Sequence, residues 1–475
     1  MLIRNAQLWQ SCLSDVRIQN GRVAEIGTLE PRWGERLIDG GGGLLIPGLH
    51  DNHIHLAALS AQQSSIMCGP PAVSNAAELA RALDKPGDGW LRGTGFHECV
   101  MDGKLPDARV LDGMIAHRPF RMQHRTGRMW FLNTPALAEL LAKAAPPPGL
   151  EHDGERFTGR LFDEDDWLRR GLQSVPPDFE ESSKRLARFG VTGITDMSPR
   201  NDPQMARHFA EQKSAGRLLQ SVILAGAPSL AEGVLEACQL GPLKLHLHEN
   251  ALPDFDDAVA LVQTARAQGR SVAVHCVTEV ELVFTAALLE VAGSRRGDRI
   301  EHASVVPEVL IPRLRHLQLD LCVQPHFITE RGDSYLANMP PRQMPDMYRL
   351  RSLMSAAIPL CGGSDAPYGD PDPWKSMAAA VTRTTLAGAM IGEEECLSPE
   401  EALALYLVDP REISRQRQIV PGAAADLCLL DRPWAEVRRR LCSDDVRLTI
   451  AAGKIIHDRV DQSPCEGRAC ADTPA

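Results

Sequence analysis

The stretch GLHDNHIHL, residues 48–56, carries His50, His53 and His55 in a chain with 15 histidines in 475 residues. In an extended strand side chains alternate faces, so His53 and His55 emerge together while Ile54 points the other way. Two imidazoles on one face can share a metal ion. An isolated H-x-H also suits a polar strand end, so the reading depends on further ligands elsewhere. Lys244 stands inside the apolar run LKLHLHE, His275 near the end of VAVHC, His302 at the end of RIEH and Asp365 in GGSDAP. Each alone has an ordinary reading: a salt-bridged lysine, a satisfied histidine, an Asx turn. Together they are nitrogen and oxygen donors repeated at the ends of apolar runs, the donor set of a divalent-metal site.

The elements that must position these groups follow from periodicity. From about residue 190, strand-like runs alternate with helical patterns: GVTGITDM, LQSVILAG, LKLHLHE, SVAVHC, RIEH, LDLCVQ and IPLCGGSD. Between them, DFDDAVALVQTARAQG has the i, i+3, i+4 apolar spacing of a helix and a terminal glycine. Such alternation implies parallel strands with crossover helices. Seven runs plus the one ending in H-x-H make eight, the number of a (β/α)8 barrel, whose reactive face lies at the C-terminal strand ends. This count requires an insertion over about 60–185, too long for a simple loop and read as a lid or subdomain. Both chain ends are β-rich, which predicts a composite β-sandwich domain from 1–48 and 418–460, joined to the barrel of 49–417 at the glycines 40–43. Residues 461–475 read as a flexible tail; Cys465 and Cys470 within it are weak evidence for a metal or redox site.

Composition excludes several classes. The net charge is −11, with 62 acidic residues against 51 Lys+Arg. No basic face for nucleic acid or an anionic membrane is expected. No apolar run approaches the ~18 residues of a membrane span, and the start MLIRNAQLWQ lacks the apolar core of a signal peptide. The 12 cysteines are scattered, which fits reduced core thiols and a cytoplasmic location.

On PGLHDNHIHL, GVTGITDM, RIEHASVV, VQPHFI, GGSDAPYGDPDPW and GAAADLCLLD, the chain resembles the amidohydrolase superfamily of metal-dependent hydrolases across about residues 1–458. Within it, the chain is similar to the branch of N-substituted formamide deformylases. The resemblance implies that His53, His55 and Asp365 bind a more buried ion and that His275 and His302 bind a more exposed one. It also implies that Lys244 is carboxylated by carbon dioxide to a bridging carbamate. The nitrogen and oxygen donors suit zinc best. The implied activity is hydrolysis of an amide-type C–N bond of a small molecule (N-acyl, N-formyl or cyclic) by a hydroxide bridging two ions, with Asp365 moving the proton. A homodimer is the expected assembly.

Departures from the family pattern mark candidate substrate contacts. Relatives often carry an aspartate-glycine pair after the lysine; here the segment runs KLHLHENALP, so His246 and His248 can approach the metals or the substrate. Arg128 in HRTGRMWFLN stands where relatives usually have histidine, and a guanidinium there suits a carboxylate-bearing substrate. His326 and Arg331 in QPHFITERGD are further pocket candidates. Two alternatives stay open at this point. One is a mononuclear-metal deaminase of an aminated ring, with Glu249 as proton shuttle; the other is a non-catalytic scaffold on the same fold.

Overall fold

The structure is a computed structural model that describes all residues except 10, 64, 155, 173–175, 234–236 and 460–475. The expected tail with Cys465 and Cys470 lies outside the described residues. The chain forms one compact unit from Met1–Leu56 with the described residues from Phe179 onward, and a second from Ala57–Asp178.

The first unit contains the barrel. Its strands are β1 (Leu49–Ile54), β2 (Val191–Asp196), β3 (Ser221–Gly226), β4 (Gln239–His246), β5 (Val272–Cys276), β6 (Arg299–His302), β7 (Asp320–Val323) and β8 (Leu360–Gly362). They pair in chain order, every neighbour parallel. Helices cross over between them with local reasons to start where they do. Asp202 caps Pro203–Ser214 with a proline in its first turn, and Thr278 and Glu281 form a capping box that opens Glu279–Ala292 just after β5.

The seam between β8 and β1 nearly closes the barrel. The Asn52 side-chain amide donates to the Gly362 carbonyl at 3.0 Å, and the Asp365 N–H donates to the His53 carbonyl at 2.7 Å. Asp51 accepts from the Ser364 N–H at 2.9 Å and from its hydroxyl at 2.6 Å. Gly363 permits this approach: a Cβ there would lie 2.5 Å from the His53 Cβ and 2.7 Å from its backbone nitrogen.

Strands from both ends of the chain form one further sheet in the order Lys454–Asp458, Val446–Ala451, Leu427–Leu430, Leu44–Pro47, Leu2–Leu8, Leu13–Gln19 and Arg22–Gly27. Its core joins Ile3, Val16 and Leu45 to Leu427, Leu429 and Leu448. The Thr449 hydroxyl ties it to the barrel by donating to the Ala187 carbonyl at 2.7 Å. The unit Ala57–Asp178 has its own six-stranded sheet with two apolar clusters, one around Phe96, Phe120 and Phe131, the other around Trp130, Leu161 and Trp167. Among the described residues no helix is long and apolar enough to cross a membrane.

Candidate metal centre and active site

The C-terminal ends of β1, β4, β5 and β6 and the loop after β8 bring the donors together. His53 Nε2 and His55 Nε2 lie 3.3 Å and 3.2 Å from Asp365 Oδ1. From there the imidazoles run in a file. Ring centroids are 5.3 Å apart for His55 and His53, 4.8 Å for His53 and His302, and 4.5 Å for His302 and His275. The file continues through His246, 4.4 Å from His275, to His248, 4.5 Å from His246. Lys244 precedes His246 by two positions on β4 and is buried.

Two observations test whether a divalent metal fits these residues. Among the described residues, His53 Nε2 and Lys244 Nζ are buried polar atoms with no hydrogen-bond partner, a costly arrangement for a chain to keep without a ligand. The ligand atoms of His53, His55 and Asp365 also lie within 4.8 Å of one another. A second group, His53, Glu301 and Cys322, meets the same distance. The residues fit a divalent cation.

The electrostatics are those of a buried polar cluster. Burial pushes the Lys244 amine down, and burial pushes His275 far below its ordinary range. Burial likewise lowers His302 to about 3. Burial works against the charge of Asp365, yet the imidazoles of His302, His53 and His55 outweigh it and hold the carboxyl well below the usual range. The shifts at His275 and His302 leave neutral lone pairs, the state that metal ligation requires, whereas at His53 burial is outweighed by Glu301 and Asp365, which raise it.

Supporting partners orient the ligands. His302 Nδ1 lies 2.8 Å from Gln324 Oε1, and His55 Nδ1 lies 3.1 Å from the Ser198 hydroxyl. His53 Nδ1 lies 2.5 Å from Glu301 Oε2. The sequence reading missed Glu301, Gln324 and Ser198. The signal for Glu301 was the acidic residue in the apolar strand RIEH. Strict alternation, however, assigns it and His302 to opposite faces. Both approach His53 because His302, at φ +75°, leaves the extended backbone on which alternation rests.

Two further candidates, His326 and Arg331, belong to the same unit as this core. His326 is buried beneath the Asp365 loop, with Nε2 3.0 Å from the Ser364 carbonyl and Nδ1 3.0 Å from the Ser376 hydroxyl. Arg331 stacks over Phe327 at 3.8 Å and donates to the Tyr368 carbonyl at 2.6 Å; the Tyr368 ring stands 5.7 Å from His55. Arg128 belongs to the second unit, where it pairs with Asp163 at 2.9 Å and 2.5 Å.

The model of the amidohydrolase family matches residues 36–457. Over 480 residues the chain is 26% identical to amidohydrolase YtcJ of Bacillus subtilis (strain 168), covering 88% of this chain and 90% of that protein. It is 23% identical over 507 residues to N-substituted formamide deformylase of Arthrobacter pascens, covering 90% and 92%. Among solved structures, an uncharacterized metal-dependent hydrolase from Pyrococcus horikoshii OT3 shares the fold with a TM-score of 0.77 at 20% identity, covering 91% of this chain and 97% of that one. Because the family model spans the barrel and much of the terminal-strand sheet, the chain belongs to the amidohydrolase family.

Proposed function

We propose that this chain hydrolyses an amide-type C–N bond of a small molecule, with N-formyl, N-acyl and cyclic amides as the substrate class. Two divalent cations, zinc foremost, would be held by His53, His55 and Asp365 on one side and by His275 and His302 on the other. The observation that carries this reading is the buried Lys244 amine without a hydrogen-bond partner, in electrostatic reach of Glu301 and Asp365. Burial favours its neutral form, which can attack carbon dioxide, form an N–C bond and release one proton. The product is a carbamate, which would replace an unpaired neutral amine with anionic oxygen donors for the cations. When bound, the cations supply Lewis acidity that lowers the pKa of water and polarises a carbonyl.

The chain's own residues do the rest. Asp365 is ionised and fixed by its N–H bond to the His53 carbonyl, so a carboxylate oxygen can take the proton of the attacking water. It then delivers that proton to the leaving nitrogen as the C–N bond breaks, giving a carboxylic acid and an amine. His246 and His248 extend the imidazole file beyond His275, and we assign them to the far end of the substrate. The name of the Arthrobacter pascens relative supports an N-formyl compound as the first to try.

The test combines elemental analysis of the purified protein with a panel of N-formyl, N-acyl and cyclic amides. Near two ions per chain, turnover of one panel class, and loss of both in Lys244→Ala are expected. One ion per chain, ammonia released from an aminated ring, and an active Lys244→Ala variant would replace the proposal with a mononuclear deaminase.

A further inference from the structure

We propose that Glu301, clamped by Arg299, is a positioning residue that makes His53 bind metal through Nε2; this rests on the metal-binding reading above. A neutral imidazole has one N–H and one lone pair. His53 meets an acidic oxygen at each nitrogen, Glu301 Oε2 at Nδ1 and Asp365 Oδ1 at Nε2. Its tautomer therefore decides between the two groups that can hold an ion, because both contain His53: one with Glu301 and Cys322, the other with His55 and Asp365.

Arg299 makes the choice. Its Nε donates to Glu301 Oε1 at 2.6 Å and its Nη2 to Oε2 at 3.1 Å, while Nη2 also donates to the Asn52 carbonyl at 2.8 Å, one residue before His53. Glu301 is wholly buried and Arg299 nearly so. A metal ion held by Glu301 and Cys322 would sit beside that guanidinium, where like charges repel strongly in a dry interior. Glu301 is thus kept as an acceptor. The proton of His53 stays on Nδ1, and the Nε2 lone pair faces His55 and Asp365. Hydrogen-bonded partners of this kind fix both the tautomer and the ring plane of a metal ligand. The left-handed turn at His302 completes the arrangement, since β6 then supplies a ligand and the support of another ligand from consecutive residues.

The inference makes an asymmetric prediction for substitutions. In Glu301→Gln, Arg299 draws the amide carbonyl toward itself and leaves the NH2 group facing His53. Nδ1 must then accept, Nε2 becomes protonated, and the affinity for one of the two ions falls roughly ten- to hundredfold, read by competition with a chromogenic chelator. In the double variant Arg299→Met/Glu301→Gln the carbonyl is free to turn to Nδ1, and the affinity returns to within a few-fold of wild type. A residue that served packing alone would give a double variant worse than the single one. Metal-free, 15N-histidine-labelled protein near pH 8.5 supplies a second readout: the His53 proton sits on Nδ1 in wild type and on Nε2 in Glu301→Gln. The proposal is overturned by wild-type affinity in Glu301→Gln, by a folded double variant that binds no better than the single one, or by an Nε2 proton in wild type. Because the nitrogen shifts need no metal, a wild-type protein that binds none counts against the proposed function, while the tautomer still decides the role of Glu301.

Discussion

Asp365 combines three properties that seldom coincide: it is buried, ionised, and within 3.3 Å of two imidazole nitrogens. If it carries the proton, Asp365→Asn lowers kcat by roughly a hundred- to ten-thousandfold, the range for a positioned acid–base group, while most of the metal stays bound to the imidazoles. Steady-state kinetics with elemental analysis check this, and a wild-type rate in the variant removes Asp365 from the mechanism. At this scale the sequence was informative where donors recurred together at the ends of apolar runs, since each alone has an ordinary reading. His53 and His55 were legible from alternation, and Lys244 from a cation in an apolar strand. Glu301 was not legible, because alternation sets it opposite His302, and that alternation ends at the positive φ of His302. The file through His246 to His248 was half legible: spacing put both on the face of Lys244, but how closely they approach His275 depends on the pairing of β4 with β5.

At the scale of elements, all eight barrel strands were readable as short apolar runs separated by helical periodicity. What periodicity could not provide was the seam, where β8 is only three residues long and β1 meets it mainly through side-chain and loop hydrogen bonds. Gly363 is the steric condition of that seam. In Gly363→Ala the new methyl meets the His53 backbone at 2.7 Å, so β8 must shift away from β1. Overpacking of this kind costs about 1–3 kcal/mol, and the same shift moves Asp365 away from His53 and His55. A lower melting temperature together with weaker metal binding is expected. A variant that loses stability but binds metal as wild type does would separate the seam from the site. The strand count left about residues 60–185 as an insertion, and Ala57–Asp178 forms a unit with its own sheet and cores.

Across the whole molecule, stability should carry a pH signature from a buried carboxyl that is not among the candidate metal ligands. Asp320 opens β7 near the N-terminal end of the barrel, and burial raises it from 3.8 to about 6, with Arg299 only partly opposing the shift. For an acid raised on folding, the native state binds the proton more tightly than the unfolded chain does. The associated stability is therefore complete below about pH 3.8 and is lost as pH climbs through 6. A shift of about two pH units corresponds to a loss of about 3 kcal/mol at most. Asparagine keeps the shape of the neutral acid and cannot ionise. Asp320→Asn should thus melt a few degrees above wild type at pH 7.5, with the two curves converging by pH 4. Arg299 stays paired with Glu301 in that variant, so metal content should not change. Thermal melts across this pH range decide the matter: a constant gap at every pH would mean that packing, rather than the buried charge at position 320, separates the two proteins.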